Sequence, residues 1–309
     1  MHVWTRRRHY FLITVFFLLV FLLFNLEDPL SSAAVLSRGS STAPRDEYIA
    51  LCLAVKDQAQ DLPEWLQHHY FNMGIGKFYI MDDGSDPPMS SLAHTFGIPP
   101  SALEFYYSDK SQHLRRMQRT LYNRCVELAR PKHHTWMAFL DADEFLDTPG
   151  PESLRAILSA FEPVTSIGAV AINWHVHSSS GHLVRQPSVR GAYTQCLIDD
   201  DGEDGWLNRY VKSIVRLAAY KSMATPHFFH LENNSVTVGE HGDLVRDSWR
   251  RASRDRLAVH HYAVKSRQEM EQKINRSSAN GNGRTWNFWN VVENEIPHVN
   301  CSSMLRWLS

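Results

Sequence analysis

The stretch whose residue types could do chemistry is Trp136 to Pro149, WMAFLDADEFLDTP, where an apolar run breaks into Asp141, Asp143 and Glu144 and then resumes. Two carboxylates two residues apart at the exit of a buried strand fall on one face of the backbone, which lets hard oxygen ligands reach one divalent cation. A cation held by so few protein ligands keeps open positions for water and phosphate oxygens, so the spacing points to a phosphate-bearing substrate. Taken alone, Asp-x-Asp reads as readily as an acidic turn that closes a strand, with Asp141 capping the next helix. Further acids end other apolar runs, at Lys56-Asp57 and at Asp82-Asp83-Gly84-Ser85-Asp86.

The elements that must position these side chains follow from periodicity. Tyr48 to Val55 is a continuous apolar run, as expected of a strand buried on both faces. Leu62 to Met73 carries Leu62, Trp65, Leu66, His69, Tyr70 and Met73 at helical spacing, with Pro63 in the first turn and Gly74 at the C-cap. Lys77 to Met81 reads as the next strand. Leu103 to Tyr107, a helix over Arg115 to Arg130 and Trp136 to Leu140 repeat the pattern. Strand, helix, strand with short links is a βαβ unit, whose parallel sheet places ligands at the carboxyl ends of its strands. Lys56-Asp57, Asp82-Asp83 and Asp141/Asp143 are therefore expected along one edge of one sheet. Beyond Pro149 the pattern is less regular: strands are expected at Ile167 to Trp174 and Lys212 to Leu217, an acidic loop at Asp199 to Gly205, and a short helix at Gln268 to Asn275.

With 309 residues, 43% hydrophobic, 21% charged and a formal net charge of -1, the chain has the composition of an ordinary folded protein. Its 32 Lys plus Arg form no basic stripe with aromatics outside the N-terminus, so nothing points to nucleic acid. Arg6, Arg7 and Arg8 precede an uncharged apolar run from Tyr10 to Leu26, followed by Glu27 and Asp28. As a helix this run spans roughly 25 Å, suited to the thinner early secretory membranes, and the flanking charges leave residues 1–9 cytoplasmic and the bulk lumenal. A cleavable signal peptide is the alternative, since Ser32-Ala33-Ala34 offers small residues for cleavage. Residues 27–46 read as a flexible stem rich in Ser, Ala and Thr, and residues 47–309 as one catalytic domain. Asn233, Asn275 and Asn300 each open an Asn-x-Ser sequon. Cys52, Cys125, Cys196 and Cys301 could pair in an oxidising lumen, although Cys52 and Cys125 sit in apolar patterns that equally suit buried free thiols.

Six motifs in order, CLAVKD (Cys52 to Asp57), EWLQHHYFNMGIGKFYIMDDGSD (Glu64 to Asp86), QRTLYNRC (Gln118 to Cys125), WMAFLDADEF (Trp136 to Phe145), SSGH (Ser179 to His182) and HHYAVKS (His260 to Ser266), resemble glycosyltransferase family 92 and related family 2-like transferases of GT-A fold. The resemblance runs from Tyr48 to about Arg276. It implies an α/β fold with a Rossmann-like mixed sheet flanked by helices. It also implies a hexosyltransferase that uses a nucleotide-diphosphate sugar, a UDP sugar in the first instance, a divalent ion such as Mn2+, and a glycan or glycoconjugate acceptor. On these motifs Asp141 and Asp143 become metal or ribose ligands, Asp143 the direct one, with Glu144 behind them. Asp82 or Asp83 would meet uracil or ribose, and Lys56 or Asp57 the same base. His261 can complete a metal shell as a neutral imidazole, with His227 a weaker candidate, and Lys265 can neutralise the leaving diphosphate; His260 reads as structural. Ser179, Gly181 and His182 form a small polar loop able to admit an acceptor, although turn chemistry also explains them. Asp204 resembles the acid that such enzymes place near the acceptor as a base, with Glu232 or Glu240 as alternatives.

The absence of a clear Gln-x-x-Arg-Trp element sets the chain apart from processive polysaccharide synthases. Two other classes stand beside this reading. A metal-dependent phosphatase of the dehalogenase type also places Asp-x-Asp after a strand, but opens its domain with it, whereas Asp141 lies mid-chain. An inactive membrane-anchored sugar-binding protein would keep the fold without the reaction.

Overall fold

Four parallel strands carry the acids found in the sequence. β1 (Ile49–Val55), β2 (Lys77–Asp83), β3 (Leu103–Ser108) and β4 (Trp136–Phe139) stand in the order β4-β1-β2-β3, each parallel to its neighbour. β1, at the centre, is buried almost throughout, as its continuous apolar run requires. The computed structural model describes residues 46–114, 116–199, 206–276 and 284–308. Pro44–Ser309 form one compact unit. The expected anchor Tyr10 to Leu26 and most of the expected stem lie outside the described residues, among which no helix is long and apolar enough to cross a membrane.

The rest of the sheet departs from a parallel plan. After β4 the chain makes the acidic turn and enters β5 (Glu144–Asp147), then β6 (Ile167–Val176), β7 (Gln195–Leu197) and β8 (Val211–Arg216). β8 inserts antiparallel between β4 and β6, so the sheet is mixed and spans ten strands among the described residues. A hairpin of β9 (Tyr220–Thr225) and β10 (Phe228–Leu231) stands apart. β11 (Val236–Val238) and β12 (Leu244–Val245) extend the far edge, while β13 (Ala258–His261) pairs with both β5 and β6. β14 (His298–Asn300) closes antiparallel on β7.

The expected helix from Leu62 to Met73 starts as an α-helix over Leu62–Gln67 and widens into a π turn over His68–Asn72. The widening aims three buried side chains at β5. Trp65 Nε1 donates to Glu144 O at 2.7 Å, His68 Nε2 to Leu146 O at 2.6 Å, and His69 Nε2 accepts from Leu146 N at 3.1 Å. Burial holds His69 neutral, lowering it to about 3, as this acceptor role needs. The backbone of the strand behind the acidic turn is thus fixed from the opposite side.

The helix expected over Arg115 to Arg130 is observed at Met117–Ala129 and is fastened to β1 by a Cys52–Cys125 disulfide. Cys196 and Cys301 form a second, so the free-thiol alternative for Cys52 and Cys125 is set aside: the helix crosses the β1 face with the two Cα atoms 6.1 Å apart, within disulfide reach. The short helix expected at Gln268 to Asn275 spans Arg267–Arg276. Asn233, Asn275 and Asn300 are all exposed.

Candidate active site at the strand exits

Because β2, β1 and β4 run in parallel, their exits bring Lys56, Asp83, Asp141 and Asp143 to the wall of one cavity of about 370 Å³. The turn after β4 is closed on itself: Asp141 N donates to Glu144 Oε2 at 2.9 Å and Glu144 N to Asp141 O at 3.0 Å. Tyr262 N then donates to Asp143 O at 2.8 Å, tying the turn to the end of β13. Backbone hydrogen bonds from two directions leave the two carboxylates little freedom.

Asp141 and Asp143 meet different lysines. Asp141 accepts from Gln118 Nε2 at 3.1 Å and from Lys212 Nζ at 2.8 Å, and Lys212 also lies 3.2 Å from Glu144. Lys212 is buried on β8, where Asp141 and Glu144 outweigh the cost of burying its ammonium and hold it protonated. Glu144 is driven the other way, to about 8, first by burial and then by the neighbouring Asp141 and Asp143, against the pull of Lys212. Asp143 is buried as well, yet the Lys273 ammonium bonded to Oδ2 holds its carboxyl far below the usual range. Lys273 also donates to Ala263 O at 3.0 Å. Burial lowers Lys273 in turn, leaving its proton less tightly held than in water.

His261 Nε2 lies 3.8 Å from Asp143 Oδ1, and its ring rests against Trp174 with centroids 4.1 Å apart. Burial keeps this imidazole neutral, and its Nδ1 is buried without a hydrogen-bond partner. His227 lines the same cavity, lowered to about 4 by burial, with Nδ1 on Val211 O at 2.9 Å. The lining also carries Lys273, Arg276 and Arg284, of which Lys273 is bonded to Asp143. Two carboxylates, a neutral imidazole and three cations thus line one cavity, donor types that suit a divalent ion beside groups that suit an anion.

Other expected site residues take different places. Asp83 reaches the cavity and pairs with His113 at 2.9 Å. Asp82 turns inward to accept from Ser85 N at 2.9 Å and Met89 N at 2.8 Å, shaping the loop after β2. Asp57 adopts a left-handed backbone, φ 50°, and accepts from Asp86 N at 3.0 Å, bracing the same loop from β1. The expected role of Lys265 is corrected. β13 ends at His261, the backbone turns at Lys265 with φ 52°, and the ammonium is sent to Asp61 at 2.6 Å and Glu269 at 3.9 Å, away from the cavity lining.

The Ser179, Gly181 and His182 loop is likewise not brought to the cavity. Glu293 accepts from Ser179 N and Oγ, each at 2.6 Å, His182 Nε2 lies 3.3 Å from Ala192 O, and Gly181 takes a turn at φ 79°. Glu240 caps the loop of Ser253, Asp255, Arg256 and Leu257 and does not line the cavity; neither does Glu232. His260 faces away from it, against His177 and Asp147. Asp204 lies outside the described residues.

Gln118, Trp174, Lys212, Lys273, Arg276 and Arg284 were not singled out from sequence. Lys273 falls within the short helix expected at Gln268 to Asn275, and Arg276 directly follows it.

A sequence model of glycosyltransferase family 92 matches residues 48–295. A glycosyltransferase family 92 protein of Oryza sativa subsp. japonica is 25% identical over 66% of this chain, and one of Ricinus communis is 22% identical over 75% of it. The aligned regions are 36% and 38% of those proteins' lengths, so the chain spans under two-fifths of each. Among solved structures, a mannosyltransferase from Pyrobaculum calidifontis, in complex with GDP-Man and Mn2+, overlaps at 16% identity, covering 44% of this chain and 39% of its own, with a TM-score of 0.31. The match across residues 48–295, which takes in the strand exits and the cavity they line, is decisive: the chain belongs to glycosyltransferase family 92.

Proposed function

We propose that the protein is a metal-dependent glycosyltransferase of GT-A type that moves a hexose from a nucleotide-diphosphate sugar, a UDP sugar in this reading, to a hydroxyl of a glycan or glycoconjugate. The observation that carries it is the single cavity lined by Asp141, Asp143 and His261 together with Lys273, Arg276 and Arg284. Family membership supports the reaction class.

The donor types present are those of a divalent-cation site, with Lys212 and Lys273 now engaging the two carboxylates. Carboxylate oxygens and a neutral imidazole suit manganese, and the unpartnered Nδ1 of His261 leaves that ring with spare ligating capacity. Held by Asp141, Asp143 and His261, such an ion would neutralise the diphosphate oxygens of the donor. Lys273 turns from Asp143 toward the departing diphosphate, joined by Arg276 and Arg284, whose guanidinium forks suit phosphate oxygens. Asp83 and Lys56, at the exits of β2 and β1, meet the ribose and base. The Trp174 ring packs against His261 and holds that imidazole in place.

In the same reading the Tyr10 to Leu26 run anchors the chain as a single-pass protein of the Golgi or endoplasmic reticulum, with its catalytic part lumenal. Two disulfides and three exposed sequons support an oxidising, glycosylating compartment.

The test is donor hydrolysis by the purified protein against a panel of UDP and GDP sugars, with manganese and then with chelator. Manganese-dependent release of one nucleotide, lost in Asp143→Asn, is expected. Absence of both release and nucleotide binding would overturn the reading, and binding without release in the presence of acceptors would indicate a sugar-nucleotide-binding protein.

A further inference from the structure

The strands that wall the cavity have another face. β6 and β13 pair in parallel with His175 opposite His260, and side chains alternate along each strand. Trp174 and His261 therefore face the cavity, while His175, His177 and His260 point to the opposite side. There they meet Cys196 of β7 and Cys301, which follows β14. One donor atom each from His175, Cys196, His260 and Cys301 lies within 4.8 Å of all the others, and three of the four residues are fully buried.

The geometry points to a Cys2His2 site for a zinc-like divalent cation, formed when the Cys196–Cys301 bond is reduced. His175 Nδ1 is 3.4 Å from Cys301 Sγ. Tetrahedral bonds of about 2.1 Å to nitrogen and about 2.3 Å to sulfur separate two such ligands by roughly 3.5 Å. A supporting group for a histidine ligand is already in place. Asp147 Oδ2, buried and without a hydrogen-bond partner, lies 3.4 Å from His260 Nε2. A carboxylate on the distal nitrogen is what orients a metal-bound imidazole. The other disulfide provides the contrast, since Cys52 and Cys125 are fully buried among apolar side chains.

The step balances. A thiol reductant gives two electrons and two protons to the disulfide and is itself oxidised to a disulfide. The cation then displaces both thiol protons to solvent and takes one lone pair from each imidazole; His260 binds through Nδ1, giving up its 2.8 Å hydrogen bond to His177 Nε2, and its proton moves to Nε2, which donates a hydrogen bond to Asp147 Oδ2. The site uses none of the residues lining the cavity, and it forms where a thiol reductant opens the Cys196–Cys301 bond, whereas an oxidising compartment keeps that bond closed.

The test is metal binding by the full chain. Protein produced in a reducing host with zinc should carry about one tightly held zinc per chain, and replacement by Co2+ should give tetrahedral visible bands with thiolate-to-cobalt charge transfer. That charge transfer distinguishes this site from a cation held in the cavity by oxygen and nitrogen. It should vanish in the Cys196→Ser, Cys301→Ser double variant, persist in Cys52→Ser, Cys125→Ser, and be absent from wild-type protein in which thiol titration finds both disulfides intact. Wild-type protein with four titratable thiols and no thiolate charge transfer would overturn the proposal, as would bands that survive loss of Cys196 and Cys301.

Discussion

The two walls of the cavity are built differently. The acid wall comes from strand exits, where ladder hydrogen bonds and the closed Asp141–Glu144 turn fix the backbone, and Asp143 is buried. The cation wall comes from the Arg267–Arg276 helix and Arg284, as half-buried side chains on long flexible stems. Fixed ligands suit an ion that tolerates little change in its shell; mobile cations suit a group whose charge grows and then departs. Lys273 joins the two, since its ammonium is bonded to Asp143.

Removing the fixed wall should cost most. Asp143→Asn is expected to lower kcat/KM for donor hydrolysis on the order of 10³-fold, with saturating manganese giving no recovery and the thermal midpoint showing that the protein still folds. Removing the mobile wall should cost less. Lys273→Met is expected to lower kcat roughly 10²-fold while manganese binds about tenfold tighter, because a cation competing for Asp143 is gone. If Lys273→Met weakened manganese binding, or cost as much as Asp143→Asn, the division between walls would collapse.

The acid wall was legible in the sequence because its information is local. Continuous apolar runs mark β1 and β4, and Asp141 and Asp143 follow the last residue of β4, Phe139, by two and four positions. β2 extends past the expected Met81 through Asp82 and Asp83 because both still pair with β3, at Tyr107 and Ser108. The cation wall was hidden because its information is tertiary. Lys273 meets Asp143 across 130 residues, and Lys212 sits in an alternating strand where a lysine reads as solvent-facing. It is buried there because β8 inserts beside β4, an antiparallel pairing that the parallel βαβ pattern does not announce. Lys265 misled for the same reason: spacing of four from His261 suggests a shared face only where the backbone is helical, and here it turns.

Stability provides a smaller test of how the walls are supported. His69→Ala leaves Leu146 N–H buried without its acceptor and removes packing against Phe145, so it should destabilise by about 2–3 kcal/mol. Nucleotide affinity per folded molecule should hardly change, since His69 braces β5 from the side away from the cavity. A loss of affinity well beyond the loss of folded protein would show that β5 is not a passive support.

The subtlest expectation concerns Glu144, the acid that faces no solvent. Its folded carboxyl titrates at about 8, above the ordinary glutamate value, so between roughly pH 4.5 and pH 8 the folded state keeps a proton that the unfolded chain has released. Stability from this group is therefore full below the ordinary glutamate value and declines as pH rises to about 8, then levels. Glu144→Gln, which cannot ionise, should remove that part of the decline and melt higher than wild type above pH 8, with Lys212 still paired to Asp141. Thermal midpoints of both proteins from pH 5 to pH 9 decide it. Parallel curves would mean that Lys212 keeps Glu144 ionised throughout, one cation serving two acids, and that Asp141 holds its ammonium less firmly than the 2.8 Å contact implies.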